Sequence, residues 1–139
     1  MATITYKVTV ATGTTQYGTG NRFYINGELA PVLYLQEGNT YIFDQSDSSN
    51  ASGGVHQIAF SRNPNNSPVA AYTSGVTSTG TPGTAGAQTT FNVAPVRTTG
   101  APLLFYYCTN HSNIWLGVLS DYNNLQSNRS NGDNTIRNR

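Results

Sequence analysis

Ile4, Tyr6, Val8 and Val10 are each separated by a Thr or a Lys, and this period of two is that of a strand with one buried face. Residues 12–20, rich in Gly and Thr, read as a turn. Arg22, Phe23, Tyr24 and Ile25 form a second strand that stops at Asn26-Gly27, a dipeptide that tolerates the left-handed angles of a tight hairpin turn. Residues 32–35 are apolar and β-prone, Glu37-Gly38-Asn39 supplies a turn, and residues 40–43 resume a strand ahead of a polar loop over 44–54. The next strand, 55–60, places His56, Ile58 and Phe60 on one face, so His56 is expected to point inward with two core-seeking side chains.

Pro, Gly, Ser, Thr and Asn dominate residues 61–86, with a weak apolar island at 69–72; this reads as a surface excursion holding short strands at most. Residues 89–93 make a strand, residues 103–108 the most apolar one, and residues 115–119 close the sheet. About eight strands without a helical period describe an all-β sandwich or small barrel. The tyrosines, among them Tyr17, Tyr24, Tyr34, Tyr41, Tyr72, Tyr106 and Tyr107, are expected along sandwich edges with their hydroxyls reaching water.

Composition supports this reading and narrows the partners. The chain has 139 residues, enough for one core. Its solubility comes from 19 Thr, 16 Asn and 12 Ser, which favour strands and turns, because only 9% of the residues are charged. A net charge of +1 gives no field to recruit nucleic acid or an anionic membrane. No run approaches the roughly 20 apolar residues that cross a bilayer, and Met1-Ala2-Thr3 enters the first strand with no basic start or apolar export segment. The expected organisation is a sandwich over 1–119 and a polar C-terminal arm over 120–139, in which only Tyr122, Leu125 and Ile136 are sizeable apolar residues.

Cys108 is the one cysteine, which excludes an internal disulfide and a four-sulfur zinc site within the chain. It lies three residues before His111, where a strand turns into a loop; the other histidine, His56, is distant in sequence. One thiolate and two imidazoles are the donors that suit both Cu(I) and Cu(II). The alternative is a buried thiol beside ordinary histidines. Zinc with a water ligand is a poorer fit, since no carboxylate follows in the loop to act as a base. No nucleophile elbow, phosphate-cradling Gly-Lys loop or His-Glu-x-x-His helix is present, so an enzyme is not expected. Asp44 and Asp47 sit in a Ser-rich turn, where carboxylates cap local amides.

Over residues 6–117 the sequence resembles a cupredoxin-like domain, with His56-Gln57-Ile58-Ala59-Phe60 opening a strand and Phe105-Tyr106-Tyr107-Cys108-Thr109-Asn110-His111 ending one. More narrowly, Phe23-Tyr24-Ile25-Asn26-Gly27, Phe43-Asp44-Gln45-Ser46-Asp47, Thr79-Gly80-Thr81-Pro82-Gly83 and Tyr106 to Ser112 resemble small domains encoded by marine cyanobacteria and their tailed phages. The resemblance implies a Greek-key fold and assigns His56, Cys108 and His111 as equatorial copper ligands. The sequence departs from the family where an axial methionine would follow the last histidine: Ile114 and Leu116 stand there, and the only Met is Met1. A hydrocarbon in that position leaves either a three-coordinate copper site of raised potential or a vestigial hydrogen-bonded cluster.

Two functions follow as expectations. The resemblance implies a non-enzymatic structural protein of a phage virion, made in the host cytoplasm: a capsid decoration, cement or tail-associated subunit. Its partners would be other virion proteins such as the major capsid protein, or further copies of itself in a symmetric assembly. The alternative is a blue-copper electron carrier using His56, Cys108 and His111.

Overall fold

A computed structural model describes residues 2–62, 71–93, 104–111 and 117–121. Alternation at the start of the chain builds β1 (Thr3–Thr15) and β2 (Gly18–Ile25), antiparallel from Val8↔Ile25 to Thr15↔Gly18. The turn expected over 12–20 is therefore only Gln16 and Tyr17 wide. Thr favours the pleated sheet, Thr14 and Thr19 bond across it through their hydroxyls at 2.8 Å, and Gly18, directly after the turn, takes a positive φ of 102°, the conformation glycine supplies where a bulge follows a tight turn. Buried Arg22 ties this end together, donating to Gly18 O at 2.6 Å and to Asn21 O at 2.8 Å. The Asn26-Gly27 hairpin forms as expected, with φ of 51° and 85°, and leads into β3 (Glu28–Leu29).

The remaining elements are β4 (Leu33–Leu35), β5 (Thr40–Asp44), a short 3-10 helix (Ser48–Ala51), β6 (Ile58–Ser61), β7 (Val76–Thr79), β8 (Gln88–Asn92), β9 (Leu104–Cys108) and β10 (Gly117–Asp121). Ten strands thus replace the expected eight among the described residues, the additions being short. They form a mixed six-stranded sheet in the order β3-β2-β1-β5-β8-β7 and a four-stranded sheet in the order β4-β10-β9-β6. The fold is an all-β sandwich. β1 joins two neighbours by changing partner along its length: Thr3 to Lys7 run parallel to β5, and Val8 to Thr15 run antiparallel to β2.

Val8, Val10, Phe23, Ile25, Tyr41, Phe43 and Phe91 of the larger sheet pack with Leu33, Leu35, Ile58, Phe60, Leu104, Tyr106 and Cys108 of the smaller. Phe60 is the hinge of that contact, with ring centroids 5.4 Å from Phe43 and 5.1 Å from Phe91. Burial of each such ring stabilises the sandwich by about 1.5–3 kcal/mol. Tyr41 and Tyr106 belong to this core, against the expectation of edge positions; Gln36 N–H donates to the Tyr41 hydroxyl at 2.7 Å, and the Tyr106 hydroxyl donates to Pro31 O at 2.6 Å. Protein partners replace water, which lets both phenols be buried.

The strand expected over 115–119 is β10, two residues further on, and it continues through Asp121 past the expected start of the arm at 120. Trp115 and residues 122–139 lie outside the described residues, as do 63–70 within the expected surface excursion. Among the described residues no helix is long and apolar enough to cross a membrane.

Candidate metal centre

Leu104, Tyr106 and Cys108 alternate inward along β9, so the last of them delivers its thiol to the end of the core. β9 pairs antiparallel with β6, Cys108 opposite Ile58, and Thr109 N–H still donates to Gln57 O at 3.0 Å. Residue 56 therefore stands at the mouth of this two-strand ladder, on the inward side. The strand expected over 55–60 begins only at Ile58, and His56 precedes it, held by the preceding loop instead of by strand pairing. Its inward orientation holds: it is 1% exposed. Beyond Cys108 the chain turns back, with His111 N–H donating to Cys108 O at 3.3 Å and Asn110 Nδ2 donating to Val55 O at 2.6 Å. This turn carries the exposed His111 over the thiol.

All three residues expected as ligands come together. Cys108 Sγ lies 3.1 Å from His111 Nδ1 and 3.8 Å from His56 Nδ1, and the two Nδ1 atoms are 3.3 Å apart. A triangle with these sides has a centre about 2.0 Å from each corner, matching a metal–imidazole bond and falling about 0.3 Å short of a metal–thiolate bond. Small outward movement of the sulfur satisfies all three bonds. Among the described residues no carboxylate joins the group. The same separations also admit hydrogen bonding, with a thiol or imidazole proton shared between the atoms, so the site is chemically competent either to bind a metal ion or to persist as a cluster.

Electrostatics favour neutral, donating imidazole. Burial and the neighbouring His56 both push the His111 pKa down. Burial pushes the Cys108 thiol up, opposed by the Asn110 and His111 backbone N–H groups, which donate to its sulfur. A cation arriving between the donors would displace the thiol proton and take the place of that proton's charge.

The loop over 44–54 supplies the support. Asp47 caps the 3-10 helix, its Oδ1 accepting from Ser49 N–H at 3.0 Å, and Asp44 Oδ1 accepts from Ser46 N–H at 2.9 Å. Both carboxyls are held below their ordinary value, first by the side-chain hydroxyls of Ser46 and Ser49 and next by these backbone N–H groups, the capping role expected from the sequence. Gln45 and Asn50 are fully buried amides beside His56. The sequence does not mark them, because a buried amide in a polar loop leaves no periodic signal.

Compared with family models, with curated proteins and with solved structures, the chain gives no match in any of the three. A His56–Cys108–His111 group on an all-β sandwich, its first two members buried and His111 exposed, able to hold a metal ion, is therefore what the described residues themselves establish.

Proposed function

We propose that this protein binds one copper ion through His56 Nδ1, Cys108 Sγ and His111 Nδ1 and carries a single electron on it. The observation that carries the reading is the near-equilateral triangle of donor atoms, 3.1 to 3.8 Å on a side, closed over 52 residues of chain. Two imidazoles and a thiolate in one plane are the donors of a trigonal copper site, and copper exceeds zinc in affinity for such a set. The ion would supply one-electron chemistry at nearly constant geometry. The protein would hold that geometry through the loop before β6, which bonds to His56, and through the end of β9, which carries Cys108, and exposed His111 would offer the edge closest to a redox partner. A cupredoxin-like, Greek-key assignment belongs to this reading and is supported by the ligand order, a histidine before one strand and a Cys-x-x-His at the end of its neighbour.

The full chain loaded with Cu(II) should show an intense thiolate-to-copper absorption, absent in Cys108→Ser. A colourless titration of the wild-type protein would overturn the electron-carrier reading.

The resemblance to phage-encoded domains supports a second setting, in which the sandwich is a subunit of a virion and meets capsid or tail proteins or further copies of itself. Because β10 runs through Asp121, truncation after that residue leaves the ladder intact. Reduced incorporation of the truncated protein into particles is the expected result, and unchanged occupancy would remove any role for the arm.

A further inference from the structure

His56 has three hydrogen-bonding groups besides Nδ1, and one loop engages all of them. Its backbone N–H donates to Asn50 O at 2.9 Å, its backbone carbonyl accepts from Gln45 Nε2 at 2.6 Å, and its ring Nε2 lies 2.7 Å from Ser52 O. A carbonyl oxygen can only accept, so Nε2 carries the proton and, in the neutral ring, Nδ1 carries the lone pair that faces Cys108 and His111.

The loop that does this is itself fixed by two buried amides. Gln45 Nε2 also donates to Asn50 Oδ1 at 2.9 Å, while Gln45 Oε1 accepts from Ile58 N–H at 3.0 Å and from Gln57 Nε2 at 3.3 Å. Asn50 Nδ2 donates to Val8 O at 2.8 Å and to Asp47 O at 3.1 Å, tying the loop to β1. Gln45 thus bridges the loop, the backbone of His56 and the first residue of β6. These groups are buried, so each lost bond would leave an unsatisfied partner, which makes the arrangement stiff.

We infer that Gln45 and Asn50 are positioning residues for the metal centre: together they hold the 45–52 loop as a clamp that fixes His56 as its Nε2–H tautomer, with Nδ1 committed to the ion before it arrives. The inference rests on the metal reading for its purpose, while the tautomer itself is a property of the metal-free protein. Without the clamp, binding must first select one of two tautomers and several ring orientations, and affinity falls accordingly; outer partners of this kind are worth about 10–100-fold in metal affinity.

The test uses the full chain labelled with nitrogen-15. Long-range proton–nitrogen correlation of the metal-free protein should show His56 protonated at Nε2 alone, and Gln45→Met, similar in length but unable to hydrogen-bond, should show a mixture of tautomers. Competition for Cu(I) against a chromophoric chelator should give Gln45→Met and Asn50→Ala dissociation constants about 10–100-fold above wild type. A reduction potential shifted in Gln45→Met would separate altered ligand geometry from mere loss of stability. Finding Nδ1–H on His56 in the metal-free wild type overturns the inference without any variant, as does wild-type tautomer and Cu(I) affinity in Gln45→Met. Failure of the wild-type protein to take Cu(I) overturns the metal reading instead, while the tautomer measurement still decides the clamp.

Discussion

His56 Nδ1 stands 3.3 Å from His111 Nδ1, with the two rings 4.7 Å apart at their centroids, yet one histidine is buried and the other exposed. That asymmetry separates their roles. Loss of the His111 side chain should cost little stability, about 0.5 kcal/mol, but weaken Cu(I) binding by more than about 100-fold. His56→Ala should weaken binding as severely and also destabilise the fold, since it empties a buried site. Added imidazole should restore the copper absorption in His111→Ala, where solvent reaches the gap, and not in His56→Ala. Equal rescue of both variants would contradict the burial described for His56.

Gly117 lies opposite Tyr106 in the β9–β10 ladder, and a Cβ added at Gly117 would run into the Tyr106 ring. Gly117→Ala should push that ring away and break its 2.6 Å hydrogen bond to Pro31 O. Denaturant titration should show a loss of about 1–3 kcal/mol, typical of overpacking. The added Cβ would meet both the ring and the hydroxyl oxygen of Tyr106, and Tyr106→Phe removes only the latter, so Tyr106→Phe/Gly117→Ala should retain most of the loss.

Phe60 joins the two layers through Phe43 and Phe91 and is 1% exposed. Phe60→Ala should cost about 3–5 kcal/mol in equilibrium unfolding. Phe60→Leu keeps most of the volume and should recover more than half of that loss.

Asp44 and Asp47 are held below the ordinary carboxyl value of 3.8. A carboxyl depressed in the folded state contributes stability above its unfolded value and loses it as pH falls through the folded one. Thermal midpoints should therefore be flat from neutrality to about pH 5 and fall below about pH 4. Asp47→Asn keeps a good cap but cannot protonate, so it should remove part of the acid-side slope without lowering the midpoint at neutral pH.

The strands were legible where side chains alternate or a turn has a strict chemical requirement. Alternation from Ile4 to Val10 marks β1, and Asn26-Gly27 marks the β2–β3 hairpin, because both signals are local. Residues 12–20 carry no such signal, since Thr and Gly suit a strand or a loop equally, and only pairing between Thr15 and Gly18 decides between them. The burial of Tyr41 and Tyr106 is not legible either: a phenol enters the core only when a partner such as Gln36 N–H or Pro31 O meets its hydroxyl.

Sequence alone determined the sheet class, the inward face of His56 and the set of residues able to ligate a metal, for these follow from residue type and period-two geometry. Tertiary structure alone decided that Cys108 pairs beside Ile58, that the turn at Asn110 swings His111 over the thiol, and that Gln45, Asn50 and Ser52 close around His56. Those contacts join residues brought close by strand register and by satisfying buried amides, and neither leaves a periodic trace along the chain.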